Sequence, residues 1–183
     1  MSTYLTKGIV LRRADQGEYD RQFFIYTEKL GKILAIAKGA KKISSKLNPH
    51  LNFFTVCELM LAPSQNGFYR LAGAVAQRRQ GKLSPECFIY VYNALEAADR
   101  LTLANHADWE IFRLLDGFLA DLAISESSNN LLILNKFLYN LLLHSGYAPK
   151  LAAKSQRQLC RQFNAIIEKA TEMPMRSLAS LNL

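Results

Sequence analysis

Residues 6–76 alternate short apolar runs with turn residues, a pattern typical of β-strands. Glycines at the sharp reversals, such as Gly17, Gly31 and the Asn66–Gly67 pair, favour tight hairpins. One longer connection runs from residue 38 to residue 51. The predicted strands cover residues 6–13, 21–27, 33–37, 53–61 and 68–76. Because closure removes the exposed edges of a sheet, five short strands predict a closed or nearly closed barrel.

The rest of the chain changes to the spacing of amphipathic helices. Ser84 precedes Pro85 at a first helical position, Asn105 with Asp108 offers a second cap, and Ser155 begins a capping box. A polar linker at 125–130 precedes a third helix at 131–145, and the fourth helix extends to Pro174. The pattern predicts an α+β chain: a barrel domain over residues 1–82 and an all-α domain over residues 83–183.

Charge is distributed unevenly between these two parts. Residues 1–82 contain 14 lysines and arginines against 5 acidic residues, whereas residues 83–183 contain 9 against 10. The whole net charge of +8 therefore belongs to the first part. Such asymmetry favours a polyanionic partner, nucleic acid first and an acidic membrane surface second. The simpler alternative is that the basic residues only solubilise a small domain.

Several classes of protein are excluded by composition and motifs. The most apolar stretch, residues 131–143, is too short and too polar to span a membrane, and the N-terminus does not resemble a signal peptide. Cys57, Cys87 and Cys160 are widely spaced and odd in number, which favours a reducing cytoplasm. The chain has no CxxC pair for zinc and no glycine-rich phosphate loop. We expect no cofactor and no metal.

Candidate catalytic groups are weak. Asp15, Glu18 and Asp20 lie on a predicted turn and suggest a metal site, but turns attract aspartate for backbone reasons. Cys57 with His50 suggests a nucleophile pair, but Cys57 occupies an apolar strand position and is expected to be buried and inert. We therefore predict that the protein is not an enzyme.

Nucleic-acid binding has stronger support. Four lysines fall within nine positions of the long connection, where glycine and serine let the backbone approach phosphates. Aromatic residues are interleaved with the strand arginines, as in grooves for single strands, although many of these rings are needed to fill the barrel. The predicted DNA-binding residues are Arg12, Arg13, Arg21, Lys38, Lys41, Lys42, Lys46 and Arg70.

Three motifs resemble one known family at the family's spacing. They are KGIVLRRADQGEYDR at 7–21, YTEKLGK at 26–32 and AKGAKK at 37–42 followed by SKL at 45–47. Weaker matches occur at 137–147 and 176–181. This pattern resembles the RecO family of bacterial recombination mediators, and the match is strongest over residues 4–76.

The resemblance implies an N-terminal oligonucleotide-binding (OB-fold) barrel followed by helices. It implies binding of single- and double-stranded DNA, annealing of complementary strands, and loading of RecA onto DNA coated by single-strand-binding protein. The implied protein partners are RecR and the acidic C-terminal tail of the coating protein, and the implied location is the cytoplasm, at the nucleoid. A tail receptor needs an apolar pocket beside a cation, and the resemblance favours Lys136 as that cation. Tyr139 and Asn140, three and four residues further on, share its helix face and are expected to line the pocket. The alternative for Lys136 is a surface lysine that covers apolar neighbours.

The sequence departs from the family after Tyr147. Many members continue there into a segment with four zinc-ligand cysteines, whereas this chain passes almost directly to its last predicted helix. We therefore expect a short form without that segment, which leaves part of the RecR contact open. Two other functions also remain open: an RNA-binding barrel, and a metal-dependent nuclease that uses Asp15, Glu18 and Asp20.

Overall fold

A computed structural model gives the fold, and it describes residues 3–43, 45, 47–51, 53–54, 56–64, 67–77, 85–150 and 152–181. Within these ranges the N-terminal part forms five strands in a closed barrel with the order β1-β2-β3-β5-β4. The strands are β1 (Tyr4–Gln16), β2 (Asp20–Thr27), β3 (Gly31–Ala37), β4 (Val56–Pro63) and β5 (Tyr69–Ala76). This is the five-stranded arrangement of the OB-fold. The predicted barrel followed by helices is confirmed.

The barrel interior is filled by alternate residues of every strand, as the period of two requires. On β2, Phe23 and Ile25 are fully buried, while Phe24 between them is only half-buried. Ala40 and Leu51, from the connection after β3, complete the same core. Ala40 therefore fixes the lysine-rich segment to the barrel while its lysine neighbours stay at the surface.

Strand β1 is longer than predicted. Asp15 and Gln16 are not turn residues but pair with Arg21 and Asp20 across the β1–β2 hairpin. β1 pairs with β4 only over Tyr4–Ile9, so its second half is held by β2 alone. The hairpin therefore extends past the point where β1 leaves β4. β4 in turn starts three residues later than predicted, because Phe53 and Phe54 form a turn.

Residues 103–112 pack with the barrel. The amide of Asn105 donates to the carbonyl of Lys32 on β3 at 2.8 Å, and Lys32 forms a parallel bridge with Ala104. The Tyr26 hydroxyl donates to the Asp108 carbonyl at 3.3 Å, and burial raises the pKa of Tyr26 to about 12. This segment covers part of the β3 edge that β5 does not reach, since β5 pairs only with Ala35 and Ile36.

Two compact units follow from these contacts: a barrel unit of Met1–Arg79 with Leu103–Phe112, and a helical unit of Gln80–Thr102 with Arg113–Leu183. The predicted boundary at residues 82 and 83 assigns residues 103–112 to the helical domain, whereas these residues belong to the barrel unit. Ser84 of the predicted cap, Asn66 of the predicted Asn66–Gly67 turn, and Lys46 lie outside the described residues.

The helices are α1 (Pro85–Leu101), α2 (Trp109–Ile124), α3 (Asn130–His144) and α4 (Gln156–Thr171). The predicted cap Asp108 accepts hydrogen bonds from the amides of Glu110 and Ile111, and Ser155 accepts one from Gln158. α4 ends earlier than predicted, at a left-handed Glu172. Within the described ranges, no helix has the length and apolar character needed to cross a membrane.

The C-terminal 3₁₀ helix Arg176–Leu181 is held in the helical unit by one carboxylate on α1. Glu96 accepts hydrogen bonds from the hydroxyl and amide of Ser177, from the amide of Arg176 and from Arg100. Although burial acts to raise the pKa of Glu96, these hydrogen bonds hold it below its usual value. The tail is thus tied to α1 by charge-assisted bonds.

Candidate nucleic-acid interface

The lysine-rich segment after β3 is joined to the tip of the β1–β2 hairpin. Gly39 adopts φ +66°, and its amide donates to the Asp20 carboxylate at 2.8 Å. The amide of Lys41 donates to the carbonyl of Tyr19 at 2.9 Å, and the Lys41 ammonium donates to the carbonyl of Gly17 at 3.3 Å. Cations that are distant in sequence are therefore held at one place on the barrel.

Asp15 organises two of the predicted DNA-binding cations. Its carboxylate lies 3.1 Å from both the Arg21 guanidinium and the Lys41 ammonium. Hydrogen bonds from Lys41 and then Arg21 lower the pKa of Asp15 below its usual value. At neutral pH this cluster of two cations and one anion keeps a net positive charge, while the carboxylate fixes where the cations lie.

Cation–π contacts place three other predicted cations over aromatic rings. The guanidinium carbon of Arg12 lies 3.5 Å from the ring centroid of Phe24. Arg13 lies 5.2 Å from the ring centroid of Phe53, and the Lys42 ammonium lies 5.2 Å from that of Tyr19. A guanidinium stacked on a ring still presents its N–H groups in its own plane, where a phosphate is bound.

Arg12 and Arg13 lie on opposite faces of β1. Arg12 is opposite Phe24, which is half-buried, whereas Arg13 is opposite Phe23, which belongs to the core. Arg70 also points outward, but from β5, because it pairs with Ile36 on β3 and Ile36 pairs with Gln22 on β2. Since β1 and β5 are not neighbours in the closed barrel, the structure does not bring Arg70 to Arg12, whereas it gathers Arg21 and Lys41 around Asp15 on the side of β1 that carries Arg13.

The aromatic residues divide between the core and the surface. Phe23 and Tyr26 are buried, Phe24 and Phe53 are half-buried beneath arginines, and Tyr19 is 55% exposed. Phe68 is also exposed, and Tyr4 packs edge-on against Tyr69 at 6.1 Å. Lys38 is exposed directly after β3.

Two of the three carboxylates that suggested a nuclease have other roles. Asp15 is paired with two cations, and Asp20 accepts the Gly39 amide. Across the part of the chain that the structure describes, no group of three His, Cys, Asp or Glu residues has the arrangement of a metal site. The geometry gives Asp15 and Asp20 a structural role in the hairpin.

Cys57 and His50 do not form a nucleophile pair. The Cys57 thiol donates to the backbone carbonyl of His50 at 2.8 Å, while the imidazole Nδ1 accepts the amide of Ala76 at 3.4 Å. Burial raises the pKa of Cys57 to about 12. The thiol therefore stays protonated at neutral pH, as expected of a buried and inert cysteine.

The predicted tail receptor lies on the exposed face of α3. Lys136 shares this face with Leu132, Tyr139 and Leu143, three exposed apolar side chains at helical spacing. The Tyr139 ring lies 6.2 Å from that of Phe163 on α4. Asn140 is directed along the helix, since its amide donates to the carbonyl of Lys136 at 2.9 Å. The arrangement is an apolar stripe with one cation within it.

The sequence did not indicate the organising role of Asp15, nor that Phe24 and Phe53, among the interleaved rings, lie beneath arginines. The signal for Asp15 was present, since residues opposite each other in a hairpin share a face and Asp15 and Arg21 have opposite charges. The partnership of Arg13 with Phe53 had no such signal, because Phe53 comes from a turn that only the closed barrel brings near β1.

Comparisons with known proteins agree with the fold. Residues 1–78 match the family model described as Recombination protein O N terminal. The chain is 31% identical over 169 residues to the DNA repair protein RecO of Roseiflexus sp., which covers 92% of this chain and 56% of that protein. It is 31% identical to the protein of the same name from Cyanothece sp., over 81% of this chain and 51% of that one. For the Clostridium perfringens protein of this name the identity is 32%, over 76% of this chain and 57% of that one. The chain thus spans about half the length of the curated relatives it matches.

Proposed function

This chain belongs to the RecO family, and from that premise we propose that it acts as a non-enzymatic mediator of DNA repair and recombination. In this role the barrel unit binds single- and double-stranded DNA and anneals complementary strands. The protein then helps to load RecA onto DNA coated by single-strand-binding protein.

The single observation that supports DNA binding most strongly is the set of cations preplaced on the barrel. Arg12, Arg13 and Lys42 rest on aromatic rings, and Arg21 and Lys41 are fixed by Asp15. A side chain that is already ordered loses less conformational entropy when it binds a phosphate. Since phosphates carry no sequence information, this set favours binding that is independent of sequence.

Protein partners are proposed for the helical unit. The exposed stripe of Leu132, Tyr139 and Leu143 with Lys136 fits a peptide that is acidic and ends in an apolar residue with a free carboxylate. We therefore assign Lys136 and Tyr139 to the tail of the coating protein, with Asn140 at the margin because its amide is engaged within α3. RecR and RecA are proposed as partners only because the chain belongs to this family.

Strand annealing tests this function directly. Two complementary oligonucleotides, each coated with single-strand-binding protein, should anneal faster when the protein is added, and Arg12→Ala with Arg13→Ala should remove most of the acceleration. A matched control is Lys7→Ala, an exposed cation on the same strand that lies outside the predicted DNA-binding residues. Acceleration that is equal in wild type and the double variant would contradict the proposed surface.

Competition between DNA and RNA of equal sequence separates the alternative. An RNA-binding barrel would prefer the RNA competitor, because OB-fold barrels bind either polymer and the ribose hydroxyl then adds a contact. We expect DNA to compete at least as well as RNA. Cleavage of a labelled single strand in the presence of divalent metal would instead support the nuclease.

A further inference from the structure

The side chain of Tyr19 is exposed at the tip of the β1–β2 hairpin, and it is not among the predicted DNA-binding residues. Tyr19 is 55% exposed, and among the residues that the structure describes it is not part of the barrel core. Its backbone is nevertheless fixed, because the Tyr19 carbonyl accepts the amide of Lys41 at 2.9 Å. The neighbouring Asp20 carboxylate accepts the amide of Gly39 at 2.8 Å. The hairpin tip therefore holds an aromatic ring at a fixed place on the surface.

The backbone contact does not require an aromatic residue at position 19. Every residue type supplies the carbonyl that Lys41 bonds, and a ring that is more than half exposed contributes little apolar burial to the barrel. A single exposed tyrosine is an ordinary surface residue. What distinguishes Tyr19 from such a residue is the positive charge that the fold places beside its ring.

Two lysine ammonium groups lie at the same hairpin tip. The Lys42 ammonium lies 5.2 Å from the centroid of the Tyr19 ring. The Lys41 ammonium donates to the carbonyl of Gly17, two residues before Tyr19, at 3.3 Å, and the Asp15 carboxylate lies 3.1 Å from it. Direct contacts between the hairpin tip and the segment after β3 therefore place the ring and both cations together.

An aromatic ring beside lysines can hold one nucleotide of a single strand, because the base stacks on the ring while the ammonium groups meet the phosphates. In a duplex each base is already stacked between its neighbours, and exposing its face costs free energy. The phosphates, in contrast, are open to lysines in both forms of DNA. We propose, on the premise that the barrel unit binds DNA, that Tyr19 stacks on one unpaired base and so makes this surface prefer single strands to duplex.

The Tyr19 hydroxyl offers a second kind of contact, since it can donate to a phosphate oxygen. A hydroxyl contact would serve single strands and duplex alike, whereas stacking serves single strands alone. Phenylalanine at position 19 removes the hydroxyl and keeps the ring, and leucine removes the aromatic face while keeping an apolar side chain. These two substitutions therefore separate the two contacts.

Fluorescence anisotropy with three DNA ligands tests the stacking. The ligands are an oligo-dT of roughly 10 nucleotides, a strand with the same number of phosphates but abasic sites in place of bases, and a blunt duplex. Tyr19→Leu should weaken binding of oligo-dT by about 10-fold, the order of one stacked base, and should leave binding of the abasic strand and the duplex unchanged. Tyr19→Phe should bind all three ligands as the wild type does.

Two further variants serve as controls. Lys42→Ala should weaken binding of all three ligands to a similar extent, because all three offer phosphates. Tyr92→Leu, at an exposed tyrosine of α1, should change none of them.

Three results would overturn the role of Tyr19, and each differs from failure of the proposed function. Equal weakening of oligo-dT and abasic-strand binding by Tyr19→Leu would show a disturbed hairpin tip. Equal weakening of oligo-dT binding by Tyr19→Leu and Tyr19→Phe would assign the contact to the hydroxyl. Unchanged oligo-dT binding by Tyr19→Leu would remove Tyr19 from the surface and leave DNA binding intact. A wild type that binds none of the three ligands would instead remove the proposed function together with this role.

Discussion

The carboxylate of Asp15 lies 3.1 Å from the ammonium of Lys41, which joins the β1–β2 hairpin to the segment after β3. Arg21 meets the same carboxylate at 3.1 Å. One acidic side chain therefore holds two cations in place and also offsets part of their charge. Position and charge can be separated by replacing the carboxylate with its amide.

Asp15→Asn should strengthen binding to single-stranded DNA. Removing the negative charge releases about one cation to phosphate, so the slope of log affinity against log salt should steepen by about 0.7. Fluorescence anisotropy of a labelled oligo-dT over a range of salt concentrations measures this slope. Asp121→Asn, at an exposed carboxylate of α2, should change nothing. Weaker binding of Asp15→Asn at every salt concentration would mean that the carboxylate acts mainly by positioning Arg21 and Lys41.

Gly31→Ala should destabilise the barrel unit. Gly31 has φ +68°, and an added Cβ would lie 2.0 Å from the carbonyl oxygen of His106. We expect the free energy of unfolding to fall by more than the about 1–2 kcal/mol of left-handed strain alone, because a backbone clash is added to that strain. Urea unfolding followed by the fluorescence of Trp109, the one tryptophan of the sequence, measures the loss.

Gly17→Ala provides the matched control for that loss. Gly17 also has positive φ, at +63°, but no atom lies within 4 Å of its added Cβ. Gly17→Ala should therefore lower the free energy of unfolding only by the cost of placing alanine in the left-handed conformation, about 1–2 kcal/mol. Equal losses for the two variants would mean that the contact of residues 103–108 with the barrel adds little stability.

Glu96→Gln should destabilise the helical unit at neutral pH by about 1.5–3 kcal/mol, since its hydrogen bonds are charge-assisted. The folded pKa of Glu96 lies below the ordinary 4.5, so its contribution is complete above that value and is lost as pH falls through the folded pKa. The difference from wild type should therefore shrink in acid. Urea unfolding across pH 3–7, about the span of this titration, measures it. Glu126→Gln, an exposed carboxylate without a capping hydrogen bond, is the control; a difference that persists unchanged in acid would contradict the assignment.

Lys136→Ala should weaken binding of the coating protein's tail peptide by about 1 kcal/mol or more, as expected for a charge-assisted contact. Asn140→Ala should have a smaller effect, because that amide is already bonded to the carbonyl of Lys136. Isothermal titration calorimetry with the peptide measures both. DNA affinity should stay the same for both variants. Loss of DNA affinity with intact peptide binding would reverse the assignment of partners to the two units.

Local sequence patterns predicted much of the fold, because strand alternation and helix caps depend on residues that are close together in the chain. Alternation located the core of each strand, and the caps at Asp108 and Ser155 were found because a cap is defined by neighbours three residues apart. The sequence predicts that β1 ends before Asp15, since aspartate favours turns, and only the pairing of Asp15 with Arg21 shows that β1 continues. The OB-fold itself was supplied by the resemblance, which the comparisons confirm.

Contacts made through backbone atoms could not be predicted from the sequence. Asn105 meets Lys32 through an amide and a carbonyl that every residue type offers, so no pattern reported that residues 103–112 pack on β3. The opposite directions of Arg12 and Arg13 follow from strand alternation, but the outward direction of Arg70 is known only once β2, β3 and β5 are in register. The candidate residues were thus predictable as a list and not as surfaces.

The salt dependence of single-strand binding tests the central claim most directly. About four to six phosphate contacts by the preplaced cations predict a slope of log affinity against log salt of about −3 to −4. Replacing Arg12 and Arg70 with alanine should make the slope shallower by about 1 to 1.5, whereas Lys7→Ala should leave it unchanged. Affinity that does not respond to salt, or a slope that is the same with and without Arg12 and Arg70, would contradict a DNA-binding role for the barrel surface.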